Sequence, residues 1–184
     1  RNLYDHSGLK QSSTNSLGEV TRYYYDDDRR LVLVIDPEGA VIQHAYTAFN
    51  EIASTKKIHS FLDITKLPAR TDGFITDAVT TLIETLYTEK DRLDTYAYNK
   101  RGLLELHTDP EGYQTKYSYN AFGLVSEKSI SVNTKTPDLF IKYEYDQRGN
   151  WIQKVRTNGA DLSIKEARSF DNLHNLLEDE TDYL

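Results

Sequence analysis

Four aspartates recur directly after an aromatic residue, in Tyr4-Asp5, Tyr25-Asp26, Tyr145-Asp146 and Phe170-Asp171. Carboxylates serve as general acids, nucleophiles and hard-cation ligands, so catalysis is the first chemistry to weigh. Recurrence argues against it. An active site needs one convergent set of unlike groups, whereas equivalent copies at one repeat position fit a side chain that caps a turn by accepting nearby backbone N–H groups. The run Asp26-Asp27-Asp28 resembles a cation site because adjacent carboxylates can share calcium. Neighbours in an extended chain point apart, however, and the helix-loop-helix spacing is missing, so a solvated turn is expected. The histidines His6, His44, His59, His107 and His174 show no metal-ligand spacing, and the chain has no Cys, so no zinc site is expected. No G-x-S-x-G, P-loop or H-E-x-x-H pattern occurs. The residues therefore predict no catalytic set, no cofactor and no metal, and the chain does not read as an enzyme.

A formal net charge of -7 repels a phosphate backbone on average, and the basic residues cluster no further than pairs such as Arg29-Arg30 and Lys56-Lys57. Nucleic acid is excluded as a partner on those grounds. No apolar run reaches the length of roughly 18 to 20 residues that spans a bilayer as a helix. The chain has no Met and opens at Arg1 in mid-motif, which suggests a slice of a longer array.

The motif is a repeat. Tyr4, Tyr25 and Tyr46 return every 21 residues, as do Tyr98 and Tyr119, and the series continues through Tyr145 and Phe170 with steps of 26 and 25. Gly8, Gly102, Gly123 and Gly149 each follow their aromatic by four residues. A second turn residue follows the aromatic by 14, at Gly18, Gly39, Gly112, Asn133 and Gly159. Gly and Asn enter left-handed backbone most easily, which is what two tight turns per unit demand. In the fullest copy the second turn is Asp109-Pro110-Glu111-Gly112, where Pro sets φ at one corner and Gly accepts a positive value at the end.

Two turns in 21 residues leave two short strands, and the sequence between them alternates. Tyr113, Thr115, Tyr117 and Tyr119 share a face, and the tyrosine pairs 23/25, 96/98, 117/119 and 143/145 sit two apart, each pair on one face. Rings meeting rings across hairpins are the expected cohesion. The fold class is therefore all-β, antiparallel β-hairpin repeats in a curved, spiralling sheet over 1–184, a single array. One irregular insertion, 54–86, interrupts it, since Tyr46 to Tyr98 is a step of 52. Within it Ile75, Val79, Leu82, Ile83 and Leu86 share a helical face, yet the density of Thr, Val and Ile in 74–86 favours strand.

The frame Y-D-x-x-G-x-L, then T-D-P-x-G, then Y-x-Y-D resembles the YD repeats of the RHS family. Residues 96–124 carry it most fully, and 1–53 and 87–177 fit it. The resemblance implies a β-sheet spiralling into a hollow shell, as in bacterial toxin complexes, polymorphic toxins, wall-associated proteins and teneurins. It also implies a secreted or cell-surface location, with flanking repeats and an enclosed or displayed carboxy-terminal, toxin-like segment of the same polypeptide as partners. The family's carboxy-terminal motif with self-cleaving aspartates has no counterpart here, so protease activity is not implied. The other reading is a carbohydrate- or protein-binding module, resting on the tyrosines, Trp151 and the acidic loops, with glycans or a cell-surface protein as partner. Exposed edge strands also invite pairing with a second copy.

Overall fold

Turn residues about every ten positions leave segments too short for stable helices but long enough for strands that alternate between two faces. The computed structural model describes residues 1–69, 72–131, 139–158, 162–171, 173 and 175–183. Its strands are β1 (Asn2–Tyr4), β2 (Lys10–Thr14), β3 (Val20–Tyr25), β4 (Leu31–Ile35), β5 (Val41–Tyr46), β6 (Ile52–Ile58), β7 (Arg92–Tyr98), β8 (Leu104–Thr108), β9 (Gln114–Tyr119), β10 (Val125–Ser131), β11 (Leu139–Tyr145), β12 (Trp151–Asn158), β13 (Leu162–Phe170) and β14 (Leu176–Tyr183). They form an unclosed antiparallel sheet in which strand order is chain order, so β1 and β14 are its edges. The chain makes two compact units, Arg1–Thr95 and Tyr96–Leu184. Among the described residues no helix is long and apolar enough to cross a membrane.

Sequential pairing follows from the loops. In the first hairpin Asp5 N–H donates to the Leu9 carbonyl at 2.9 Å and Gly8 N–H to the Asp5 carbonyl at 3.1 Å, which closes a short loop ending in left-handed Gly8. The same pair of bonds closes the loops starting at Asn15, Asp26, Asp36, Thr47, Asn99, Asp109, Asn120 and Asp146. Arg29 and Asn50 fill the left-handed slot where the repeat lacks Gly, with φ of 64° and 67°. Register slips by one residue beside Tyr4, Tyr25, Tyr46, Tyr145 and Phe170, so each of these leading aromatics sits at a β-bulge.

Because opposed residues share a face, the sheet has a first-tyrosine face, carrying Tyr23, His44, Tyr96, Tyr117 and Tyr143, and a second face carrying the residues between the paired tyrosines. In the first unit the second face is the core. Tyr24, Leu33, Ile35, Val41 and Ile58 are buried there against Leu62, Val79 and Ile83, with Ile64, Leu67, Ile75, Leu82 and Leu86 packed around them.

The covering residues come from the insertion, and here the expectation of strand for 74–86 is overturned. Residues Asp77–Glu84 form helix α1, and Ile64–Lys66 a single 3-10 turn, η1. Thr76 caps α1 by accepting the Val79 N–H at 3.4 Å, Asp77 lies at the positive end of the helix dipole, and Val79 and Ile83, one turn apart, bury the same face. Burial outweighs the modest strand preference of Thr, Val and Ile. At the front of the 54–86 segment, β6 continues the sheet to Ile58, so the departure from the repeat begins after that residue. The insertion is stitched down by backbone. Tyr25 N–H donates to the Gly73 carbonyl at 3.0 Å, Ile75 N–H to the Tyr25 carbonyl at 2.8 Å, and Leu62 N–H to the Gly39 carbonyl at 2.8 Å.

Candidate functional site

Each repeat-position aspartate ties its own loop. Asp5 Oδ1 accepts the N–H of Ser7 and of Leu9, both at 2.8 Å. Asp146 Oδ1 accepts from Arg148 and Asn150 at 2.9 Å, and Asp171 Oδ1 from Leu173 at 2.7 Å and Asn175 at 2.9 Å. Asp26 Oδ1 accepts the Arg30 N–H at 2.8 Å. The second turn class uses the same device, with Asp36 holding Glu38 and Ala40, and Asp109 holding Glu111 and Tyr113. Asn99, Asn120 and Thr47 stand in for Asp elsewhere. The two turns of a unit are thus one chemical motif used twice. Pro110 sits between cap and bonded amide, where its missing N–H costs nothing. Gly18, Gly39, Gly102, Gly112, Gly123 and Gly149 all have positive φ, as Gly8 does. Gly159, Asn133 and His174 lie outside the described residues.

The leading tyrosines do something the sequence does not announce. Tyr25 Oη donates to the Lys10 carbonyl at 3.2 Å, Tyr46 to Leu31 at 2.8 Å, Tyr119 to Leu104 at 2.6 Å and Tyr145 to Val125 at 2.7 Å. Every acceptor lies five residues after the preceding loop's cap. Lys10, Leu31 and Val125 are also the strand partners of the preceding Tyr4, Tyr25 and Tyr119. Bulging frees a carbonyl beside one leading tyrosine, and the next tyrosine along the sheet satisfies it. This joins one repeat to the next within a unit through a net of about 1 kcal/mol per bond. Phe170 has no hydroxyl and cannot make the link. The advance signal is the 21-residue step with constant loop length, which returns Tyr25, Tyr46 and Tyr119 to an equivalent carbonyl 15 residues back, while Tyr145, after a step of 26, makes the same link from 20 residues on.

Ring faces are engaged by cations to an extent the expected ring-on-ring ladder does not anticipate. Lys10 Nζ lies 4.6 Å from the Tyr23 ring centre, Arg30 5.0 Å from Tyr46 and Lys56 3.9 Å from Tyr87. Arg168 lies 4.0 Å from the Trp151 ring, which leaves that face of the indole covered and unsuited to stacking on a sugar. Ring pairs do occur, His107 stacking on Tyr96 at 4.9 Å and Tyr143 on Tyr145 at 6.4 Å.

The electrostatics belong to the same framework. Burial opposes the ionised form of Asp5, but the N–H groups of Leu9, Ser7 and Gly73 hold its carboxyl below the ordinary aspartate value. Burial likewise opposes the charge on Asp26, and Arg30, bonded at 2.7 Å, brings the carboxyl down. Asn150, bonded through its side chain, lowers Asp146. Burial raises the hydroxyls of Tyr46, Tyr119 and Tyr145, keeping them protonated as donors. In the Asp26-Asp27-Asp28 run, Arg30 occupies the place a cation would take, 2.7 Å from Asp26 and 3.1 Å from Asp28. Among the described residues no group of His, Asp and Glu is arranged to hold a metal ion. His44 Nδ1 meets Thr55 Oγ1 at 3.1 Å.

A family model described as RHS Repeat matches residues 4–55 and 98–136. No curated protein matches the chain. Among solved structures, the crystal structure of TcdB2-TccC3-Cdc42 is similar over 98% of this chain and 11% of that one, with 12% identity and a TM-score of 0.44. The crystal structure of TcdB2-TccC3 is similar over 98% and 12%, with 12% identity and a TM-score of 0.43. A structure of the Photorhabdus luminescens Tc holotoxin pore is similar over 96% and 12%, with 12% identity and a TM-score of 0.30. The chain spans 11 to 12% of the length of these chains.

Proposed function

We propose, from the premise that the chain belongs to the RHS-repeat family, that it is a length of wall in a larger secreted or cell-surface protein whose repeats form a β-shell. That shell encloses or displays a carboxy-terminal, toxin-like segment of the same polypeptide. The observation that carries this reading is the hydroxyl link from Tyr25, Tyr46, Tyr119 and Tyr145 to a carbonyl of the repeat before each. One unit then docks on the next by a rule that does not depend on position, and a rule of that kind extends a sheet to any length. Edges at β1 and β14 expose backbone groups that a further hairpin satisfies. The asparagine and aspartate caps spend their carboxyl and amide groups on loop amides, a structural use of residues that would otherwise be available for chemistry.

The test is protease protection in the full-length product that contains this chain. The carboxy-terminal segment is expected to resist digestion while the repeats are native and to be cut rapidly once they are unfolded in denaturant. Cleavage of that segment in the native protein as fast as in the isolated peptide removes the reading.

A further inference from the structure

On the first-tyrosine face of the second unit, one row of the sheet carries cations and no carboxylate. Tyr117 of β9 is opposed to Lys128 of β10, Lys128 to Ile141 of β11, Ile141 to Arg156 of β12, and Arg156 to Ile164 of β13. Lys128 and Arg156 are two strands apart, about 10 Å. Lys128 Nζ stands 5.7 Å over the Tyr117 ring. Arg156 is half-buried, and its Nε is buried with no hydrogen-bond partner among the described residues.

The neighbouring charges on this face are already matched. Lys154 holds both oxygens of Glu166 at 2.8 and 3.0 Å, and Arg168 holds Asp179 at 3.0 Å. Lys128 and Arg156 are left as a positive pair within a chain of net charge -7. A partly desolvated guanidinium with a buried N–H that lacks an acceptor is a standing cost, and a carboxylate paired with the accessible side of the guanidinium offsets part of it. The row alternates these cations with apolar side chains, Ile141 nearly buried at 7% exposure between them and half-buried Ile164 beyond Arg156. That alternation suits a polypeptide with alternating carboxylate and apolar side chains better than a sulfated or carboxylated glycan, which offers nothing to the isoleucines.

We propose that this row docks an acidic, extended stretch of polypeptide, and that the first-tyrosine face is therefore the one turned towards the enclosed segment. The second half of that statement rests on the shell reading above; the binding itself does not.

The probe is a fluorescently labelled peptide of alternating Glu and Leu, titrated with the 184-residue chain at low salt and followed by anisotropy, beside a matched peptide of alternating Lys and Leu and beside labelled heparin. The overall negative charge predicts preference for the lysine peptide, so preference for the glutamate peptide runs against the mean field and reports a local site. Arg156→Gln and Lys128→Gln are each expected to weaken glutamate-peptide binding about tenfold. Added salt is expected to weaken it further. If Arg156→Gln loses its far-UV spectrum, Lys128→Gln decides alone. Preference for the lysine peptide, tighter binding of heparin, or unchanged affinity in a folded variant overturns the proposal. Protease protection in the full-length product carrying Arg156→Gln separates the two ideas, since loss of peptide binding with protection intact leaves the shell standing.

Discussion

The two units are built on one frame and differ in what lies on the second face of the sheet. In the Tyr25 repeat of the first unit, which the insertion covers, the residue before the leading tyrosine is Tyr24, whereas in the second unit it is Ala97, Ser118 or Glu144. Ten residues after the leading tyrosine stands Ile35 against Thr108, and sixteen after it Val41 against Gln114. Where the insertion lies on the sheet these positions are apolar and buried; in the second unit they are polar or small, with Ala97, Ser118 and Glu144 exposed and Thr108 and Gln114 half-buried. The loops and hydroxyl links are the same in both. Loop closure and repeat-to-repeat attachment within each unit therefore need only the caps, the left-handed slots and the tyrosines, while a hydrophobic core is an optional addition that the insertion supplies to one unit.

The largest expected break comes from that core. Ile83→Ala removes a side chain with no exposed surface, and about 4 kcal/mol of stability is expected to go with it. Ile141→Ala, at 7% exposure on the uncovered unit, is expected to cost nearer to about 2 kcal/mol. Trp151, the one tryptophan, lies in the second unit, so its fluorescence in urea reports that unit while far-UV circular dichroism reports both. Equal shifts from the two substitutions would mean that the insertion contributes no more than ordinary repeat packing.

Next comes a matched pair of glycines. Gly39 and Gly112 end equivalent turns with φ of 91° and 87°. A Cβ on Gly39 falls 2.1 Å from the Leu62 carbonyl oxygen, whereas one on Gly112 meets nothing within 4 Å. Gly112→Ala carries the left-handed penalty alone, about 1 to 2 kcal/mol. Gly39→Ala adds displacement of the insertion, for about 3 kcal/mol or more in total. Thermal unfolding of the two variants measures the difference, and a gap below about 1 kcal/mol would show that the insertion yields easily at Leu62.

The hydroxyl links sharpen the comparison from the other side, because they are expected to be indifferent to the core. Tyr46→Phe and Tyr119→Phe each remove one donor and leave the Leu31 or Leu104 carbonyl unmet. About 1 kcal/mol is expected from each. A markedly larger loss at Tyr46 alone would mean that the link depends on the covered face after all.

How much of this was legible depended on whether a feature is local. The loops were readable because Asp, Asn and Gly at offsets of one and four from the aromatic act within five residues, as Asp5, Ser7, Gly8 and Leu9 do. The hydroxyl acceptor was not, since Leu104 faces Tyr119 only through strand register and a bulge. For 74–86 the helical face of Ile75, Val79, Leu82, Ile83 and Leu86 competes with the strand preference of Thr, Val and Ile, and the feature that decides for helix α1 is the start at Thr76-Asp77, which intrinsic preference leaves out. The covered face also left a trace: Tyr24, Ile35 and Val41 are large or apolar where the Tyr98 copy has Ala97, Thr108 and Gln114, and such a difference between copies marks what the covered copy touches.

Acid is expected to act gently and unevenly. Among the described residues the aspartates held below the ordinary value of 3.8 are Asp5, Asp26, Asp63 and Asp91 in the first unit and Asp146 in the second. A carboxyl lowered in the folded state contributes stability that is whole above 3.8 and drains away as the pH falls through the lowered folded values. Asp63 is exposed and the others are half-buried at the surface, where solvent screening keeps each contribution small. His44, also in the first unit, is lowered from 6.5 by burial, and the same sign applies: its neutral form is favoured by folding, so stability begins to fall below 6.5. Two steps are therefore expected in the urea midpoint of the first unit, one beginning below 6.5 and one below 3.8, against a single low-pH step in the Trp151 signal. His44→Gln should erase the upper step and leave the lower. An upper step that survives that substitution, or one that appears equally in Trp151 fluorescence, would place the proton-sensitive group outside the covered unit.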